Sequence, residues 1–84
     1  MSKTPESASR PVEVLDVRGL RCPMPVIRAE SALRRLQKGC DLKVIADDPI
    51  ARIDIPHFCA DAGHMVEEID FEGKTVIFLI TPAA

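Results

Sequence analysis

The segment Leu20–Pro25 constrains the fold of this chain most, because two prolines in it fix where a helix can begin. Proline has a backbone φ close to the helical value and lacks an N–H, so it suits the first turn of a helix and disrupts later turns. Pro23 and Pro25 therefore predict a helix that starts directly after Cys22. We expect Cys22 to be the N-cap residue of this helix, with its sulfur close to free backbone amides.

This position predicts a reactive thiol at Cys22. The positive end of a helix dipole and nearby cations, here Arg18 and Arg21, favour the thiolate over the thiol. The pKa of Cys22 is therefore expected to lie below the ordinary cysteine value of about 8.5. The alternative is that Cys22 is a small apolar filler, as many free cysteines are. A filler would need neither the paired prolines nor the arginines.

Three segments of the chain resemble the TusA (SirA-like) family of sulfur carrier proteins. They are Leu15–Val26, which contains Gly-Leu-Arg-Cys-Pro-Met-Pro, then Ile45–Pro49 and Asp54–Cys59. The resemblance extends from about residue 13 to about residue 81. It implies a two-layer fold and an active cysteine, Cys22, that accepts a persulfide sulfur from a donor protein and passes it to an acceptor protein. In the family this relay serves tRNA thiolation, molybdenum-cofactor supply or sulfur oxidation.

The composition favours one small globular domain. With 84 residues the chain has room for a single core, and 46% hydrophobic and 29% charged residues are typical of a water-soluble protein. Residues 1–10 are polar and are predicted to form a flexible tail, and residues 11–84 a single carrier domain. A net charge of −2 argues against direct nucleic-acid binding, which depends on an excess of Lys and Arg.

The cysteine count and the hydropathy favour a cytoplasmic protein. Three cysteines do not form a disulfide framework, and a reducing compartment fits them better. The first residues lack the apolar run of a signal peptide, and no stretch has the length of a membrane span. We therefore expect no contact with a membrane.

The hydrophobic pattern predicts the element order βαβαββ, an α/β (α+β) two-layer sandwich with two helices on one face of a four-stranded mixed sheet. The first helix is expected from Pro23 to Gln37. The first two strands should pair in parallel through a right-handed crossover, and the last two should form a hairpin. The predicted strands are 12–17, 41–46, 65–70 and 75–81.

The second helix is predicted to begin with Asp48 as its N-cap and Pro49 in its first turn. Asp54 is expected to cap the helix again before Pro56, so that Pro56 marks a break. Gly63 is the expected end. Its buried stripe is predicted to contain Ile55, Phe58, Cys59 and Ala62.

The other candidate groups favour a carrier over an enzyme with its own turnover. Cys59 lies on the buried stripe, and Cys40 is expected to be partly exposed at a turn without any activation. His57 and His64 have no metal-ligand spacing with the cysteines, so no metal site is predicted. Cys22 has no second cysteine in a C-x-x-C pair, which a dithiol oxidoreductase would normally need. No His or Asp stands at a motif distance to act as a fixed base, as in cysteine hydrolases. We expect sulfurtransferase half-reactions at a lone thiol, with a covalent persulfide and no cofactor.

Partner docking is predicted on the outward side of the first helix. Ile27, Glu30 and Arg34 lie three and four residues apart and form one patch near the thiol. Pro23, Pro25 and Arg21 are expected to support Cys22. Two other functions remain open: a redox-sensing interaction domain, and a small RNA-binding module, because the implied fold also resembles the C-terminal domain of translation initiation factor 3.

Overall fold

The computed structural model describes residues 10–83, so most of the predicted tail, residues 1–9, lies outside the described residues. Six elements follow one another in the predicted order. They are strand β1 (Val12–Asp16), helix α1 (Met24–Arg35), strand β2 (Asp41–Ala46), helix α2 (Pro49–Ala62), strand β3 (Met65–Glu72) and strand β4 (Thr75–Thr81). No helix among residues 10–83 is long and apolar enough to cross a membrane.

The four strands form one mixed sheet in the order β1-β2-β4-β3. Strand β1 pairs in parallel with β2, and β4 pairs antiparallel with both β2 and β3. The predicted parallel pairing of the first two strands and the predicted hairpin of the last two are thus confirmed. Because β1 and β2 are parallel, their C-terminal ends lie at the same edge of the sheet, and both lead into the loops that carry the site.

The core lies between one face of this sheet and the two helices. Alternate residues of β2 and β4 are buried, as the period of two along a strand requires. Ala29 and Ala32 of α1 and Ile55 and Cys59 of α2 pack against them. The buried residues of β2 and β4 are Leu42, Val44, Ala46, Val76, Phe78 and Ile80. The two-layer fold class is therefore confirmed.

Both helices differ from their predicted bounds. Helix α1 covers Met24–Arg35, so it begins one residue later and ends two residues earlier than predicted. Helix α2 runs without interruption through Pro56, so the break and the second cap at Asp54 were wrong predictions. Proline removes one intrahelical hydrogen bond. Ile55 and Cys59, one before and one after Pro56, are both fully buried and pack this part of the helix against the sheet.

The ends of α2 follow the sequence rules. The Asp48 carboxylate accepts a hydrogen bond from the Ile50 N–H at 3.4 Å, with Pro49 in the first turn. Gly63 adopts φ 85°, a left-handed conformation that glycine tolerates best, and its N–H donates to the Ala60 and Cys59 carbonyls. The predicted cap and the predicted stop are both confirmed.

We predict that Cys59→Ala lowers the free energy of unfolding by at least about 1 kcal/mol, because it removes a fully buried side chain and leaves a cavity. Urea denaturation followed by circular dichroism measures this loss. Cys40→Ala is the matched control, since Cys40 is only half-buried and should cost less. Equal losses for the two variants would contradict the packing role given to Cys59.

Candidate functional site

Cys22 lies in a turn between β1 and α1, and its side chain is exposed. The Arg21 carbonyl accepts a hydrogen bond from the Met24 N–H at 2.8 Å, which closes a turn containing the cis Cys22–Pro23 peptide. Helix α1 then begins at Met24, with Pro23 as its N-cap and no side chain capping it. The prediction that Cys22 is the N-cap is therefore wrong, because the amide expected near its sulfur is bound to Arg21.

Two consecutive aspartates at the C-terminal end of β2 hold this turn. The Asp47 carboxylate accepts hydrogen bonds from the Gly19 N–H at 2.9 Å and from the Arg21 guanidinium at 3.2 Å. The Asp48 carboxylate accepts one from the Cys22 N–H at 2.8 Å, in addition to capping α2. The backbone of Cys22 is thereby tied to the N-terminus of α2. Sequence reasoning found the cap but missed this second role.

A third aspartate reaches the thiol itself. The Cys22 thiol donates a hydrogen bond to the Asp54 carboxylate, with 3.7 Å between Sγ and Oδ2. Asp54 lies in the second turn of α2, 32 residues from Cys22 along the chain. No local pattern in the sequence marks this contact, since it depends on how α2 is placed beside the turn. Asp54 is therefore a site residue that sequence reasoning assigned to a cap.

The electrostatics of the site disfavour the expected thiolate. Partial desolvation and then the negative charge of Asp54 raise the pKa of Cys22, with a smaller contribution from Asp48. The two cations expected to lower this pKa are both engaged elsewhere. Arg18 pairs with Asp16 at 2.7 Å, and Arg21 pairs with Asp47 at 3.2 Å. The predicted downward shift of the Cys22 pKa is thus wrong, and the surroundings of Cys22 favour the neutral thiol over the thiolate.

The remaining cysteines lie where the sequence predicted. Cys59 is buried in the core, where desolvation raises its pKa to about 11. Cys40 is half-buried in the segment between α1 and β2. Cys22 is therefore the most accessible of the three thiols, and the one that a partner protein can reach without unfolding the chain.

The predicted docking patch on α1 has the expected exposure. Ile27 is 47% exposed, and Arg34 forms an exposed ion pair with Glu30 at 3.2 Å. Of the supporting prolines, Pro23 is exposed at the turn and Pro25 is buried in the first turn of α1. The structure thus places an apolar and charged surface on the helix that follows Cys22, and its use by a partner remains a prediction.

Two exposed isoleucines on α2 were not among the site residues predicted from the sequence. Ile50 is 49% exposed and Ile53 is 68% exposed, and both lie within the turn of the helix that precedes Asp54. The signal was available, because neither residue belongs to the buried stripe predicted from Ile55 and Cys59. The contact between Asp54 and Cys22 brings the first turns of this helix to the thiol, and Ile50 lies one turn before Asp54.

Comparison with known proteins places this site in a family. Residues 13–81 match the family described as Sulfurtransferase TusA. The chain belongs to this family. Sulfur carrier protein TusA of Pseudomonas paraeruginosa PA7 is 43% identical over 77 residues, which cover 90% of this chain and 98% of that protein. The same-named protein of Pseudomonas aeruginosa PAO1 is 44% identical over 71 residues, covering 84% and 90% of the two chains.

A solved structure agrees with this family membership. The crystal structure of the SirA-like protein from Desulfitobacterium hafniense superimposes with a TM-score of 0.71 at 27% identity. The match covers 82% of this chain and 93% of that chain. The resemblance carried by the Cys-Pro-x-Pro segment is therefore confirmed at the level of both sequence and fold.

We predict that Cys22 titrates above the ordinary cysteine value of about 8.5, because desolvation and the Asp54 carboxylate stabilise the neutral thiol. At pH 7 the thiolate fraction should then be smaller than that of a free cysteine. The rate of iodoacetamide alkylation at Cys22, followed by peptide mass spectrometry between pH 6 and pH 10, measures this titration. A midpoint below that of a free cysteine would contradict the electrostatic assignment.

Proposed function

We propose that this chain is a sulfur carrier whose Cys22 holds sulfane sulfur as a persulfide. The observation that carries the proposal is an exposed thiol on a turn fixed by Asp47 and Asp48, in a chain whose relatives are named sulfur carrier proteins. The donor is a persulfide-bearing protein such as a cysteine desulfurase or a rhodanese-like protein. The acceptor is a second protein with its own thiol.

The chemistry of such a relay is thiol–persulfide exchange. The Cys22 sulfur attacks the terminal sulfur of the donor persulfide, the donor S–S bond breaks, and the donor leaves as a thiol that takes the proton lost by Cys22. An acceptor thiolate then attacks the terminal sulfur on Cys22 in the same way. Sulfur is transferred without net oxidation, so the carrier needs no cofactor beyond the covalent persulfide.

The surroundings of Cys22 suit this limited role. Asp54 is the side chain that hydrogen-bonds the thiol among residues 10–83, while Cys40 and Cys59 occupy other parts of the fold. The carrier thus performs half-reactions, and its partners supply the remaining catalytic groups. We place this relay in the cytoplasm, with tRNA thiolation, molybdenum-cofactor supply or sulfur oxidation as the pathway that it serves.

We predict that Cys22→Ser abolishes persulfide loading and leaves the fold intact. The backbone N–H of Cys22, rather than its side chain, makes the contact with Asp48, and serine keeps that N–H. Incubation with a cysteine desulfurase and cysteine, followed by intact-mass measurement, should show a gain of one or more sulfur masses in the wild type and none in Cys22→Ser. Cys40→Ser is the control and should still load. Persulfide on the Cys22→Ser protein at the wild-type level would refute the proposed function.

We further propose that partners use the α1 patch of Ile27, Glu30 and Arg34. Ile27→Asp and Arg34→Glu should each slow loading by a cysteine desulfurase at least about threefold, since one removes an apolar anchor and the other reverses a charge. Melting should barely change, because surface ion pairs contribute little to stability. Lys38→Glu, an exposed charge reversal beyond the end of α1, is the control. Wild-type loading rates in both patch variants would show that donors dock elsewhere.

A further inference from the structure

The first turns of α2 present an apolar surface beside the thiol. Ile50 and Asp54 are four residues apart and therefore neighbours on one side of the helix, and Ile53, three residues after Ile50, is a neighbour of Ile50 on its other side. Both isoleucines are exposed, although most of the apolar side chains of β2 and β4 are buried or half-buried. The exposed part of each isoleucine is not used in the core, and together with Asp54 the two side chains form an apolar and acidic surface next to Cys22.

The charge at this surface is acidic. The titratable groups facing Cys22 are Asp48 and Asp54 from α2, together with the Asp47–Arg21 pair from the neighbouring loops. Among residues 10–83, no cation forms an ion pair with Asp48 or Asp54. Asp48 is 4% exposed and its carboxylate is satisfied by backbone N–H groups. Asp54 remains as the accessible anionic group next to the thiol.

Loading of Cys22 with sulfur requires a thiolate, which the Asp54 carboxylate disfavours. Cys22 must act as a nucleophile when it takes sulfur from a donor, and the nucleophilic form is the thiolate. A carboxylate 3.7 Å from the sulfur stabilises the protonated form instead. A cation brought close to Asp54 would offset that carboxylate and release the thiolate. In the unloading step the acceptor is the nucleophile, so the requirement belongs to the donor.

We propose that Ile50, Ile53 and Asp54 form a docking surface for the protein that loads Cys22, and that this donor presents a cationic side chain to Asp54 within an apolar contact. The proposal rests on the proposed function. The donor cation pairs with the Asp54 carboxylate, and the Cys22 proton passes to the sulfur of the donor cysteine as its S–S bond breaks. One S–S bond breaks and one forms, with no net change in oxidation. Docking and activation of the thiol are then a single event.

The test compares two assays on three variants. The first assay measures the initial rate at which a cysteine desulfurase with cysteine adds sulfur mass to the intact carrier. The second measures alkylation of Cys22 by iodoacetamide, which needs no docking. The variants are Asp54→Asn, Ile53→Asp and the control Met65→Asp. Met65 is 72% exposed and follows the far end of α2, which is 14 residues or about 20 Å long.

The proposal predicts opposite changes for Asp54→Asn in the two assays. Loading should slow at least about fivefold because the donor cation loses its partner, while alkylation at pH 7 should become faster because the thiolate is no longer opposed. Ile53→Asp should slow loading by a similar factor, well beyond any slowing of alkylation that the added carboxylate causes, and should leave melting unchanged. Met65→Asp should match the wild type throughout. Added salt should slow loading of the wild type more than loading of Asp54→Asn.

Several results would overturn this docking surface. Asp54→Asn loading at or above the wild-type rate would show that no donor cation depends on the carboxylate. Ile53→Asp loading at the rate of Met65→Asp would show that the isoleucines are not contacted. A wild-type chain that gains no sulfur mass at all would remove the proposed function itself, which is a separate outcome because it does not depend on any variant.

Discussion

The hydrogen bonds of the Asp48 carboxylate determine where the thiol lies. This nearly buried group accepts from the Ile50 N–H at the start of α2 and from the Cys22 N–H, 26 residues earlier in the chain. A buried carboxylate is stable only when its oxygens are satisfied, and here both partners are backbone donors. The same interaction therefore begins α2 and fastens the turn that precedes α1. Because Asp54 lies in the next turn of α2, its distance from the Cys22 sulfur is also set by this cap.

Local patterns in the sequence predicted the scaffold well. A nearly continuous apolar run identified β4, helical spacing placed Cys59 in the core, and Asp48-Pro49 and Gly63 marked the ends of α2. Each of these depends on residues close together in the chain. The errors arose where a distant group decides the outcome. The Met24 amide was expected to face the Cys22 sulfur but is bound to the Arg21 carbonyl, and α2 continues through Pro56 because the packing of Ile55 and Cys59 outweighs one lost hydrogen bond.

The electrostatic error has the same origin. The sequence prediction treated Arg18 and Arg21 as free positive charges, whereas they pair with Asp16 and Asp47. It also missed Asp54, which lies 32 residues from Cys22 in the sequence but contacts its thiol. Cys22 and Cys59 both have a raised pKa, but the causes differ in a way that matters for function. Burial alone raises the pKa of Cys59, and this shift is lost only when the protein unfolds. Part of the shift at Cys22 comes from an accessible carboxylate, which a bound cation can offset while the fold stays unchanged.

The two helices also give the thiol flanks of different character. The α1 flank carries exposed arginines at positions 28, 34 and 35, with Ile27 beside them. The α2 flank carries Ile50, Ile53 and the carboxylate of Asp54. A donor that contacts both flanks therefore has to present an acidic group to Arg34 and a cation to Asp54, since like charges brought together at an interface are costly. The exposed sulfur is the same for every partner, so the charges on the two helices beside it are what distinguish one partner from another.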